Sequence, residues 1–314
     1  MCIRDRFSLP VPAIEGAFGR TVPGLWITPH AGVVGPKPGF SFTLAPIGYR
    51  GSISALNGSR KTEAPVAISI AGVLVPRIDV DGNSNYLVPQ YVYRTDTRRV
   101  SFASSCKIRP TWAAVTASFR PGDRGNRFTN TGFADFIFSP LTVGIHFSPT
   151  NNLAIGTMIF APTAPFTPGN LSNLGVDAWT VMPHVAHTYI WPELGLELDN
   201  VVGFDIYSRN PSTNYRSGTM FHWDGLLLKY LAGNRFAAGA ILGNLTQVTD
   251  DTGGLANQLQ GFRGRGWGAG PTALYVARLE KPEVIVQFRA VPEFAVTNLT
   301  QGITLLLGFT FKWN

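Results

Sequence analysis

The chain has 314 residues and a formal charge of +7, with 45% apolar residues but only 14% charged ones, against the ~25% charge usual in soluble domains. That balance suits a protein wet on one face and covered by lipid on the other. No window offers the ~18 uninterrupted apolar residues of a membrane helix; Gly302 to Phe311 comes nearest and carries Thr304 and Thr310, so a spanning form must be a closed barrel.

The opening Met1-Cys2-Ile3-Arg4-Asp5-Arg6 reads as a sequencing-adaptor scar, to be set aside from fold reasoning. On that reading the true start, with any signal peptide, is lost. Setting Cys2 aside leaves Cys106 alone, so neither a disulfide framework nor a thiolate metal site is expected. Residues 7–65 are rich in Gly and Pro, with short apolar runs at 24–28 and 39–45. They are read as an N-terminal lead or partial plug, with two extra strands (fourteen in all) as the alternative.

From residue 66 the text becomes strand-like runs, expected at 66–80, 86–95, 99–119, 132–147, 152–163, 177–190, 195–208, 218–231, 235–249, 266–279, 284–296 and 302–313. Most exceed the 5–6 residues of a soluble strand and meet the ~9–11 of a transmembrane one. Alternation supports this. Ile303, Leu305, Leu307, Phe309, Phe311 and Trp313 share one face, opposite Thr304, Leu306, Gly308, Thr310 and Lys312. In the run 195–208, Leu198, Val202, Phe204 and Ile206 oppose Glu197, Asp199, Asp205 and Tyr207. A period of two with charges on one side describes a lipid face and a wet lumen; a soluble sandwich also alternates, but with shorter strands. Short connections at 148–151, 191–194, 232–234 and 280–283 alternate with longer ones at 120–131, 164–176, 209–217 and 250–265, as periplasmic turns alternate with external loops. The expected fold is all-β, a closed up-and-down antiparallel transmembrane barrel of about twelve strands over residues 66–314. Trp191, Tyr189 and Trp313 fall toward the short turns and Trp179 and Trp267 toward the long loops, the places of two interfacial belts.

No motif points to chemistry. The five histidines lack metal spacing, no nucleophile elbow occurs, and the Asp250-Asp251-Thr252-Gly253 run lacks the calcium-loop spacing and reads as a turn. Gly264, Gly266, Gly268 and Gly270 share one strand face, which leaves lumen space or reflects close packing. The candidate pore-lining residues are Glu197, Asp199, Asp205, His222 and Asp224, with Arg278, Gln287, Arg289 and Glu293 from later strands. They make either a mutually paired polar interior or a selectivity lining. Basic clusters at Arg120, Arg124 and Arg127 and at Arg263 and Arg265 suit solvent or lipopolysaccharide, or an anionic solute, and no nucleic-acid surface is expected.

Val22-Pro23-Gly24, Pro162-Thr163, and the loop-to-strand run of Asn210, Thr213, Tyr215, Arg216, Ser217 and Gly218 carry a resemblance, as do Gln247, Asp250, Asp251, Gly270 and Pro271. Over most of its length from about residue 22 the chain resembles outer-membrane proteins labelled for the meta-pathway of phenol degradation. Ala164 stands where that family has glycine. The resemblance implies the bacterial outer membrane, with no cofactor and passage of small, aromatic or hydrophobic solutes. Expected partners are outer-membrane lipid, lipopolysaccharide, the solute, and barrel-assembly machinery acting through the C-terminal strand. The alternatives are a closed structural or interaction barrel and, less favoured, a barrel enzyme.

Overall fold

The structure, a computed structural model, describes residues 20–35, 37–54, 68–70, 73–75, 77–97, 99–118, 125–231, 233, 235–253, 263–277 and 282–313. Among these, every regular element is a β-strand, and no helix is long and apolar enough to cross a membrane. The strands are β1 (Gly39–Ser54), β2 (Ile68–Ile70), β3 (Val73–Val75), β4 (Arg77–Val92), β5 (Val100–Lys107), β6 (Pro110–Ser118), β7 (Asn126–Phe133) and β8 (Phe136–Ser148). They continue as β9 (Asn151–Ala161), β10 (Thr180–Trp191), β11 (Leu196–Tyr207), β12 (Met220–Leu231), β13 (Phe236–Gln247), β14 (Arg265–Ala277), β15 (Glu283–Thr297) and β16 (Gln301–Trp313).

Twelve of them close a ring. β8 to β16 pair in sequence, β5 joins β8, β4 joins β5, and β1 bridges β4 and β16. The seam runs from Phe40↔Trp313 to Ser52↔Gln301 on one side of β1, and from Gly39↔Val92 to Ser54↔Arg77 on the other. β6 and β7 are two extra strands outside the ring. They prolong β5 and β8 beyond the long-loop end, where β6 pairs with β4 from Arg77↔Ser118 to Ser84↔Thr111.

The expected count of twelve barrel strands holds, but its start is displaced. The barrel begins at Gly39, inside the segment read as lead or plug, and β1 and β4 replace the expected strands 66–80 and 86–95. Within 66–80, β2 and β3 pair only with each other. Pro46 hid β1: proline cannot donate to a ladder and argues against a central strand. The β1–β16 register accordingly passes over Ala45 and Pro46.

The alternation is as read. On β16, Leu305 and Leu307 are exposed whereas Thr304 and Leu306 are buried. Val185, Val202, Leu227, Leu242 and Phe288 continue the exposed apolar band around the ring. So much exposed apolar surface exceeds what soluble monomers tolerate and forms the lipid-facing belt of a barrel. At the short-turn end Tyr189 packs on Trp191 and Phe40 on Trp313; at the other end Trp223 meets Trp267 and Phe204 meets Phe221. Inside, Ile27 of the N-terminal segment packs with Leu226, Leu228, Ile241, Leu274 and Val291.

Candidate functional site

The lumen is occupied by the chain's own residues 20–35. This stretch is irregular backbone, turning at Val22–Leu25 (Leu25 N to Val22 O, 3.1 Å) and at His30–Val33 (2.9 Å). Irregular backbone inside a barrel needs partners for its N–H and C=O groups. The wall supplies them, and the inward acids of β11 and β12 are the acceptors. Thr21 Oγ1 donates to Asp205 Oδ2 at 2.6 Å, Gly24 N to Asp224 Oδ1 at 2.7 Å and Trp26 N to Asp224 Oδ2 at 3.0 Å. Lower down, His30 N donates to Glu197 Oε1 at 2.6 Å, Ala31 N to Asp199 Oδ1 at 3.1 Å and Gly32 N to Thr188 Oγ1 at 2.8 Å. Arg289 on β15 serves the carbonyls. Its Nη1 donates to Gly24 O at 2.8 Å and Ile27 O at 2.6 Å, and its Nη2 to Leu25 O at 3.1 Å. At the top, Arg20 pairs with Asp135 at 2.6 Å.

Glycines make the room. Gly24 has φ of +76°, a left-handed conformation that a side chain strains. A Cβ on Gly243 would lie 2.2 Å from Gly24 N, and one on Gly268 2.9 Å from Pro23 Cβ. Of the alternating glycines of β14, Gly268 leaves lumen space that the N-terminal segment fills, whereas Gly270 lies tight against the Ala290 carbonyl of β15.

Eight of the nine pore-lining candidates have a described role or place in this interior. Glu197, Asp199, Asp205, Asp224 and Arg289 hold the inner segment, rather than simply pairing with one another. Glu293 instead accepts from Tyr49 Oη at 2.9 Å and Gly302 N at 2.7 Å, tying β15 to β1 and β16. Gln287 lines a cavity. His222 is fully buried, 3.8 Å from Asp205 Oδ1, and packs where Gly203 lacks a side chain. Arg278 lies outside the described residues. Sequence reasoning missed Arg20, Thr21, Asp135 and Thr188. Lys107 was missed too, although strand parity over 99–119 places it with Ala103 and Ser105 on the lumen face.

The inner segment does not fill the ring. Between it and the β1, β4 and β16 wall lie two adjoining cavities of about 380 and 300 Å³. Both touch Thr28, Thr43, Ala45, Gln90, Arg289 and Leu306. The larger reaches Gly39 and Lys312 at the short-turn end. Trp26, Ile47, Val88 and Met158 give the smaller one apolar walls.

Two motif segments meet at the long-loop rim. Asp251 accepts from Tyr215 Oη, from Gly218 N at 2.6 Å and from Gln247 Nε2 at 2.7 Å, while Arg216 and Thr252 pair through their backbones. Burial pushes the Asp251 carboxyl up, against the hydrogen bonds that lower it. Thr163 Oγ1 accepts from Phe136 N at 2.9 Å.

A Ser–His–Asn line also appears. Ser101 Oγ is 2.7 Å from His146 Nε2, whose Nδ1 is 2.7 Å from Asn152 Oδ1. The order is that of hydrolytic triads. Yet Ser101 is only 2% exposed and its Oγ lies 2.8 Å from Val34 O, so it faces the inner segment. Among the described residues no group of three or more His, Cys, Asp or Glu could hold a metal ion.

The family model described as "Putative MetA-pathway of phenol degradation" matches residues 63–309, most of the chain. The chain belongs to that family. The match begins ahead of β4 and takes in the rim motifs and Arg289. This MetA-pathway family member is similar to the COG4313 outer membrane channel from Pseudomonas putida F1, at 16% identity and a TM-score of 0.70, over 94% of this chain and 100% of that one. That likeness shows a shared barrel fold. The MetA-pathway chain is also similar to a Pseudomonas aeruginosa FadL homologue (9% identity, TM-score 0.46, 98% of each chain). Its likeness to the CymD monoaromatic hydrocarbon channel is 8% identity with a TM-score of 0.41, over 98% of this chain and 99% of that one. No curated protein matches the sequence.

Proposed function

We propose that this protein is a passive outer-membrane channel for small aromatic or otherwise hydrophobic solutes, with residues 20–35 as an internal plug. The observation that carries the reading is the pair of adjoining cavities beside the plug, apolar over much of their walls and reaching the short-turn end. Family membership and the name of the Pseudomonas putida channel support it. The exposed apolar belt suits outer-membrane lipid, with lipopolysaccharide around the long loops. The C-terminal strand β16, alternating and ending in Trp313, suits recognition by barrel-assembly machinery. Single-channel recording on refolded protein tests the proposal: ion current with stepwise block by benzyl alcohol is expected, and a barrel giving no current overturns it. The anchored plug favours a second reading, a closed interaction barrel, and the same absence of current would select it.

A further inference from the structure

The smaller cavity has an uneven chemistry. Its lining includes Lys107 and Arg289 and, among the described residues, no Asp or Glu. Arg20, another buried guanidinium, has Asp135 at 2.6 Å. Lys107 has no such partner: its Nζ reaches Met158 Sδ at 3.1 Å, a weak acceptor, and lies 6.0 Å from the centre of the Trp26 ring. Arg289 is 3% exposed, and although the plug carbonyls occupy its two Nη atoms, its Nε has no acceptor. Gln287, two residues before it on the same strand face, has a buried Nε2 without one, and it lines the adjoining cavity. Buried donors without acceptors are rare in native proteins and call for an explanation. Here two, Arg289 Nε and Gln287 Nε2, are gathered on the walls of two adjoining cavities, with Lys107 held only by a weak sulfur acceptor and apolar side chains beside them.

We infer that these cavities form a binding site for an organic carboxylate, the acid group taken by Lys107 and Arg289 and the apolar body by Trp26, Met158, Ile47 and Leu306. The volume of about 300 Å³ is that of a small-ligand pocket. Lys107, a cation without a compensating acid, selects a negative group, and the ring face of Trp26 suits a flat hydrocarbon body. A neutral aromatic would leave the same donors unpaired. The inference names the solute class of the proposed channel and in that sense rests on that reading.

The test is binding, kept separate from permeation. The refolded full chain in non-ionic detergent is titrated by calorimetry with sodium benzoate, benzyl alcohol and benzylamine. Benzoate is expected to bind about tenfold tighter than benzyl alcohol, with benzylamine weakest, as one charge-assisted hydrogen bond in a dry site implies. Lys107→Met is expected to abolish the benzoate preference, and Lys107→Arg is expected to retain it. Equal wild-type affinity for benzoate and benzyl alcohol overturns the inference, as does a preference that survives in folded Lys107→Met. The wild-type comparison decides even if that variant fails to fold. A barrel that conducts without preferring benzoate keeps the channel reading and loses this one. A barrel that prefers benzoate and carries no current does the reverse.

Discussion

Asp224 on β12 holds Gly24 of the inner segment, its Oδ1 accepting the Gly24 N–H at 2.7 Å, while its other oxygen takes the Trp26 N–H at 3.0 Å. Each such bond to a carboxylate is worth about 1.5–3 kcal/mol. Asp224→Ala removes both acceptors and leaves two amides facing apolar wall. The plug is expected to detach in a measurable fraction of molecules, giving a several-fold rise in mean single-channel conductance. Conductance equal to the wild type would show that Asp224 does not keep the inner segment in the lumen.

Gly243→Ala reaches the same state by crowding. The added methyl would lie 2.2 Å from Gly24 N and 2.8 Å from Pro23 C, both backbone atoms. Gly268→Ala meets side-chain carbons of Pro23 and Val291 at 2.9 Å, which can give more easily. Trypsin cleavage at Arg20 is expected to rank Gly243→Ala above Gly268→Ala above wild type, with the barrel itself still heat-modifiable on a gel. The reverse ranking would place the segment elsewhere.

Asp251→Ala is expected to loosen the rim without opening the lumen. It removes the acceptor that Tyr215 Oη, Gly218 N and Gln247 Nε2 share, and a buried amide such as Gly218 N left unpaired costs about 1–3 kcal/mol. Faster proteolysis in 248–264 with unchanged conductance is the expected pattern, read by limited digestion and mass spectrometry.

The outer face can be tested against lipid directly. Leu307 points outward near the middle of β16 and is 41% exposed. Leu307→Arg is expected to cost about 2–4 kcal/mol of folding free energy in vesicles, whereas the lumen-facing Thr310→Lys is expected to be nearly neutral. Equal effects would argue that the band faces water.

Ser101 is expected to be inert toward fluorophosphonate probes in the wild type, since its hydroxyl lies against Val34 O. Covalent labelling, detected by mass, would revive the barrel-enzyme alternative.

The period-two text exposed β10 to β16 well, because outward Val, Leu and Phe contrast with inward Glu, Asp and Thr on single strands such as β11. It also showed which residues face inward. It could not show what they face. Glu197 and Asp224 look the same whether they line water, pair with arginine or accept backbone amides, and the choice was made by a segment ~170–200 residues away in sequence. β1 was obscured by Pro46, and the division of 99–119 into β5 and β6 by a local irregularity at Ile108 and Arg109. There the wall reaches Asp135 through Ala134 N to Arg109 O at 2.9 Å, and Asp135 in turn holds Arg20.

The position of the plug directly ahead of β1 has a consequence for assembly. β1 is the strand that seals the ring, zipping against β16 at the far end of the chain. Contacts between such distant residues form late. Until that seam closes, Glu197, Asp199, Asp205 and Asp224 can keep their hydration on an open sheet. Closure removes that water and draws the residues just before β1 into its place, so the last event in building the wall is also the one that fills it.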